Sequence, residues 1–217
     1  MTPRRTATAP RLYVLTPEVG KPGAAALAGD LAKALPGLDI AAVLLRLPDT
    51  DERTMINLIK SIAPVVQGAG AALLVDRHPE IVARAGADGA HLAGPEALVA
   101  ALPRLKPNHI GGAGGLHSRH DAMLCAEAGA DYVMFGEPDG AGQRPPFEAV
   151  IDRVTWWAEV FEIPCVAYAA ELDEVEPLAA AGADFVAVGA AVFDDPRGFQ
   201  VAAADAAARL AITEPAA

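Results

Sequence analysis

Lysine is almost missing from this chain: Lys21, Lys33, Lys60 and Lys106 are the only four, and none falls inside an expected strand. Schiff-base aldolase chemistry needs a desolvated lysine amine in the site, so the composition argues against it. Cationic surface is also scarce. The net charge is -11 and no Lys/Arg stripe is present, which excludes nucleic acid and anionic membrane as partners. Small anions remain allowed, because helix N-termini bind phosphate without net positive charge. Only two cysteines occur, Cys125 on a helix-patterned stretch and Cys165 in an apolar strand run. Buried thiols in a reducing cytosol are expected, not a disulfide. No run approaches the roughly 20 apolar residues of a membrane helix. Residues 1–10 carry two arginines without an apolar stretch behind them, so they read as a disordered tail and not a signal peptide. A soluble, cytoplasmic protein is expected.

What is present is a repeat. Ala-Gly-Ala-Asp occurs three times, at residues 85–88, 128–131 and 181–184, each time between an Ala-rich helical stretch and a short strand-like run. Glycine there suits a left-handed helix end, and aspartate turns the chain into the next strand. The spacing, roughly 40 to 50 residues, is about one β/α unit of an eightfold barrel.

Short apolar runs alternate with longer helical patterns throughout. Strands are expected at Leu12 to Leu15, Ile40 to Leu45, Ala71 to Val75, Gly89 to His91, His109 to Gly111, Tyr132 to Phe135, Cys165 to Tyr168 and Phe185 to Val188. Helices are expected around Gly23 to Ala34, Glu52 to Gln67, Pro79 to Ala85, Pro95 to Leu102, Ser118 to Ala128, Phe147 to Phe161, Glu171 to Ala180 and Phe199 to Ile212. Strict alternation predicts an α/β fold, a single-domain (β/α)8 TIM barrel over residues 11–212 with a short tail at 213–217. Loops that follow strands then form the active face. The Ala-Gly-Ala-Asp segments precede strands and belong to the opposite, stabilising face.

Candidate chemistry therefore lies just past the strands. The run Gly111, Gly112, Ala113, Gly114, Gly115 reads as a loop whose backbone N–H groups could cradle an anion, or as a flexible turn. His117, at its end, has a near-neutral pKa suited to proton transfer, and Ser118 is placed to cap the next helix. Asp76 and Glu96 could share a Mg2+ ion, which takes few carboxylates and keeps its other positions for water and phosphate oxygens. His78, His91, His117 and His120 suggest a transition metal only weakly, since no metal-ligand spacing supports it. Arg46 is either a clamp on an anionic ligand or one half of an inward ion pair. Glu137, Asp139, Arg144, Ala169, Ala170 and Gly189 complete the set after strands six to eight.

Several of these segments occur together in one family. Leu12-Tyr13-Val14-Leu15-Thr16, Val43-Leu44-Leu45-Arg46, Ala87-Asp88-Gly89-Ala90-His91-Leu92, Leu116-His117-Ser118, Gly129-Ala130-Asp131-Tyr132-Val133 and Ile163-Pro164-Cys165-Val166-Ala167 resemble the thiamine phosphate synthase superfamily, which includes the TenI-like thiazole tautomerases. The resemblance runs from about Arg11 to Phe193. For the synthase it implies a barrel that joins an aminopyrimidine pyrophosphate to a thiazole phosphate with Mg2+, displacing pyrophosphate. It places Arg46 at the family's strand-end arginine, Asp76 at the aspartate of its Asn-Asp pair, and Glu96 where a second Mg2+-binding aspartate is usual. His117 matches the tautomerase branch's proton-transfer histidine.

Other positions depart from the pattern. Leu44 stands for Gln, Pro48 for Lys, Val75 for Asn and Gly115 for Ser. The Thr-x-Thr-Lys grip on pyrophosphate is replaced by residues 137–144, ending in Arg144. The Gly-Gly that holds the thiazole phosphate reads Ala169-Ala170, and Gly189-Ala190 replaces a Ser-bearing turn. Each lost donor is worth about 1–3 kcal/mol to a charged ligand, so full synthase activity is not expected. The resemblance instead implies a small phosphorylated heterocycle as the ligand, bound or isomerised. The alternative is a non-catalytic barrel that binds a phosphorylated metabolite or a protein partner. A phosphate-binding epimerase is a weaker third reading, since its paired aspartates and metal-binding histidines cannot be assembled here. The resemblance also implies a homodimer. Trp156, Trp157 and Phe161 offer apolar surface for it, or simply pack on the barrel.

Overall fold

The computed structural model describes residues 9–139 and 141–211. Residues 1–8 and 212–217, which hold most of both expected tails and the last residue of the final expected helix, lie outside the described residues. Eight parallel strands close into a barrel in sequence order: β1 (Arg11–Leu15), β2 (Ile40–Leu45), β3 (Ala72–Asp76), β4 (Gly89–Ala93), β5 (Ile110–Gly114), β6 (Tyr132–Phe135), β7 (Cys165–Ala169) and β8 (Phe185–Val188). β1 pairs with β8 as well as with β2, so the sheet has no free edge. The intervening helices are α1 (Ala24–Ala34), α2 (Glu52–Gly68), α3 (Val82–Ala85), α4 (Gly94–Leu105), α5 (Arg119–Ala128), α6 (Phe147–Val160) and α7 (Val175–Ala180). A short α8 (Ala190–Phe193), not anticipated from the sequence, precedes the closing α9 (Phe199–Ala211). Among the described residues no helix is long and apolar enough to cross a membrane.

Strand alternation divides the apolar residues into two cores. Leu12 and Val14, Val43 and Leu45, Leu73 and Val75, and Val186 and Val188 face the helices. Tyr13, Leu15, Leu44, Leu74, Tyr132, Met134, Val166 and Tyr168 fill the barrel. The helices complete the outer layer with side chains at helical spacing, as in α2, where Met55, Leu58, Ile59, Ile62 and Val66 are buried. Each such side chain contributes about 1.5–3 kcal/mol when removed from water. Trp157 belongs to this layer too: it is fully buried, stacks on Phe161 at 4.0 Å and donates its indole N–H to the Ile163 carbonyl at 2.7 Å. The aromatic group of α6 thus packs on the barrel.

The repeated tetrapeptide acts as a clasp on the closed face. Gly86, Gly129 and Gly182 all have positive φ, at 76°, 100° and 101°, as the sequence pattern requires. The aspartate that follows does more than turn the chain. Asp88, Asp131 and Asp184 accept the N–H of Leu73, Gly111 and Cys165, at 2.7, 2.7 and 2.8 Å. Each carboxylate therefore holds the start of the preceding strand, while its own N–H donates to the carbonyl of that same residue.

The glycine run departs from expectation. Gly111, Gly112 and Gly114 lie within β5, not in a loop, because all three pair with β4 and Gly112 pairs with β6 as well. Their lack of side chains makes room for neighbours. A Cβ on Gly112 would overlap the Tyr132 ring, and one on Gly114 would overlap the Glu137 carboxylate and lie 2.5 Å from His91 Nε2.

Candidate active site

A polar chain crosses the barrel beneath its open end. The Tyr13 and Tyr132 hydroxyls are 2.9 Å apart, and the Tyr132 hydroxyl is 2.8 Å from His91 Nδ1. His91 Nε2 in turn lies 3.3 Å from Glu137 Oε2. Hydrogen bonds thus link Tyr13, Tyr132 and His91 in series, and the Glu137 carboxylate lies against the other ring nitrogen of His91. Glu137 Oε1 also accepts the Gly115 N–H. Burial pushes the Tyr13 and Tyr132 hydroxyls well above the ordinary tyrosine range, so both remain protonated donors.

Glu137 carries this chain into a cavity of about 210 Å3 over the ends of β5 and β6, lined among others by His117, Glu137, Asp139, Gln143 and Arg144. The segment after β6 folds on its own aspartate. Asp139 Oδ1 accepts the N–H groups of Ala141 at 2.8 Å and Gln143 at 2.9 Å. This turn places two carboxylates, Glu137 and Asp139, where an incoming anion would meet them.

The structure brings His117, Gly115 and Arg144 to this cavity. His117 is exposed, and its backbone is fixed: its N–H donates to Asp121 Oδ2 at 3.0 Å and its carbonyl accepts from Arg153 at 2.9 Å. Ser118 and Asp121 form a capping box on α5. Burial works to raise the Asp121 carboxyl, but hydrogen bonds from Ser118 and the His117 N–H outweigh it and hold the group below its ordinary value. The side chain of His117 is left free to meet a ligand.

Other candidates stand elsewhere on the mouth. Arg46 follows β2, donates its N–H to Thr16 Oγ1 at 3.1 Å and pairs with no carboxylate among the described residues. Its charge acts on Tyr168, whose hydroxyl burial pushes up. Asp76 ends β3 and lies 3.3 Å from the Arg77 guanidinium. Gly189 is buried beside the Tyr168 ring. The Ala170 N–H donates to Glu174 Oε2 at 2.7 Å. Ala169 is turned away: it is fully buried in the layer under the helices. Gly111, Gly112 and Gly114 have their backbones in the β5 ladders, and of the glycine run it is Gly115 that lines the cavity.

Among the described residues no group of three or more His, Cys, Asp or Glu converges as a metal cluster. Asp76 and Glu96, at the neighbouring ends of β3 and α4, supply at most two carboxylates, Glu96 being exposed in the first turn of α4. That donor set fits Mg2+ only if phosphate oxygens and water complete it.

Tyr13, Tyr132 and Glu174 were missed as site residues. Strict alternation along β1 and β6 points Tyr13 and Tyr132 inward, a signal available from spacing alone. Glu174 lies in a helix-patterned stretch and shows no such signal.

The chain and its fold match known proteins. The family described as thiamine monophosphate synthase matches residues 12–192. A thiamine-phosphate synthase of Rhodospirillum centenum is 38% identical over 199 residues, spanning 90% of this chain and 95% of that protein. One of Hyphomonas neptunium is 33% identical over 196 residues, 87% and 88% of the two chains. The solved thiamine phosphate pyrophosphorylase from Pyrococcus furiosus superposes with a TM-score of 0.77 at 25% identity, over 93% of this chain and 96% of that one.

Proposed function

The chain belongs to the thiamine monophosphate synthase family, and from that premise we propose that its barrel mouth binds a small phosphorylated heterocycle and isomerises it, with His117 as acid/base and little synthase activity. The observation that carries this reading is the cavity over β5 and β6, where His117 faces Glu137, Asp139 and Arg144. Two carboxylates on one wall disfavour a pyrophosphate, which carries several negative charges into a partly desolvated space. Arg144, the cation nearest to them in sequence, is already paired with Glu174 at 3.0 Å. A double-bond shift in a thiazole ring asks less of this mouth: one group that moves a proton, and a hold on a single phosphate. His117 can supply the first, and Arg46, which has no carboxylate partner among the described residues at the end of β2, can supply the second. Mg2+ would supply charge neutralisation at the phosphate, held by Asp76 and Glu96.

Incubation with the aminopyrimidine pyrophosphate, the thiazole phosphate and Mg2+ tests the reading. Little or no thiamine phosphate is expected; robust turnover would contradict it. A second reading, a barrel that binds its ligand without turning it over, is favoured by one observation. The Ala170 N–H at the mouth already has an internal acceptor, Glu174 Oε2 at 2.7 Å. A second copy of this chain is the proposed partner, supported by Val99, Met123 and Leu124, apolar side chains 53%, 37% and 39% exposed on the neighbouring α4 and α5.

A further inference from the structure

The mouth holds an ion pair that is incomplete in a specific way. Arg144 follows β6 and Glu174 precedes α7, and their side chains are 20% and 16% exposed. One nitrogen of the guanidinium, Nη1, reaches both Glu174 oxygens at 3.0 Å. The other two, Nε and Nη2, are buried with no hydrogen-bond partner among the described residues. Arginine usually meets a carboxylate as a fork, through two nitrogens, so a purely structural pair would not leave most of the fork unused. Glu174 Oε2 is held a second time, by the Ala170 N–H at 2.7 Å. A guanidinium and a backbone N–H thus converge on one carboxylate beside the ligand cavity, which Arg144 itself lines.

We propose that the Glu174 carboxylate is a built-in occupant of an anion subsite made by the Arg144 guanidinium and the Ala170 N–H, which a phosphate group must displace to bind there. A planar carboxylate has two oxygens to offer, whereas a tetrahedral phosphate has three or more, enough for Nη1, the Ala170 N–H and the donors that now lack a partner. Glu174 thereby sets the specificity of the mouth. It lowers the affinity for every phosphate-bearing ligand and admits only those whose remaining contacts make up the difference, because discrimination is a difference of affinities. Removing the carboxylate leaves a buried cation without its countercharge, and an external anion is the nearest substitute. The inference rests on reading this mouth as a site for a phosphorylated ligand, but its test uses inorganic phosphate alone.

Calorimetric titration with inorganic phosphate at low ionic strength compares the wild type, Glu174→Ala and the double variant Glu174→Ala/Arg144→Ala. Glu174→Ala should bind phosphate at least tenfold more tightly than the wild type, and the added Arg144→Ala should abolish that gain. Equal affinity of wild type and Glu174→Ala overturns the proposal, as does a gain that survives loss of Arg144. Should Glu174→Ala fail to fold, Glu174→Gln keeps the shape and removes the charge; a gain below threefold then overturns it. The two readings fail separately. A wild type that binds thiazole phosphate tightly while Glu174→Ala gains nothing for inorganic phosphate removes only this inference. A phosphate gain in Glu174→Ala with no response of either protein to thiazole phosphate removes only the functional reading.

Discussion

Replacing Asp131 by alanine separates the closed face of the barrel from its mouth. The Asp131 carboxylate accepts the Gly111 N–H at 2.7 Å and also meets Lys106. A hydrogen bond to a charged acceptor contributes about 1.5–3 kcal/mol. The Lys106 pair adds under about 1 kcal/mol, since its side chains are 36% and 40% exposed. Asp131→Ala should therefore cost about 2 kcal/mol, or roughly 4–8 °C in melting temperature for a domain of this size. Asp131→Asn keeps an acceptor oxygen and should lose about half as much. Chemical and thermal denaturation give both values, and titration of the same variants with thiazole phosphate should show unchanged affinity. A loss under about 0.5 kcal/mol, within the range of ordinary surface substitutions, would refute the clasp. Weakened ligand binding in a variant of undiminished stability would refute the division between faces.

Gly114→Ala should destabilise the barrel by about 1–3 kcal/mol, the usual range for overpacking, and should also weaken ligand binding, since its Cβ would overlap the Glu137 carboxylate; urea denaturation and titration check the two effects. Ser118→Ala removes the cap of α5 and should cost about 1 kcal/mol at neutral pH. Asp121 is held below its ordinary value by the Ser118 and His117 hydrogen bonds, so its contribution is full above the unfolded value of about 3.9 and fades as pH falls through the lower folded value. Urea midpoints followed downward from neutral pH should show wild type and Ser118→Ala converging at the acid end.

Much of the architecture was legible because it repeats. Three glycine-aspartate steps at helix ends, each before an apolar run, mark the starts of β4, β6 and β8 and set the alternation. The clasp itself was not legible, since Leu73, Gly111 and Cys165 are far from the aspartates in sequence and only the barrel brings them together. The glycine run of β5 was misread for a related reason. Isolated glycines signal turns, but Gly112 and Gly114 are small because the Tyr132 ring and the Glu137 carboxylate occupy their side-chain space. His117 and Arg144 could be placed at the mouth from strand order alone. Glu174 could not, because its importance comes from the Arg144 and Ala170 contacts and not from its spacing.

In the proposed function, His117 moves a proton on a ligand held at this mouth. Thiazole phosphate tautomerisation, followed by NMR for the wild type and His117→Ala at equal folded concentration, tests it most directly. Turnover by the wild type is expected, with a loss of about 100-fold or more in the variant, the usual contribution of a positioned acid/base. Equal activity of the two proteins, or none in either, would contradict it.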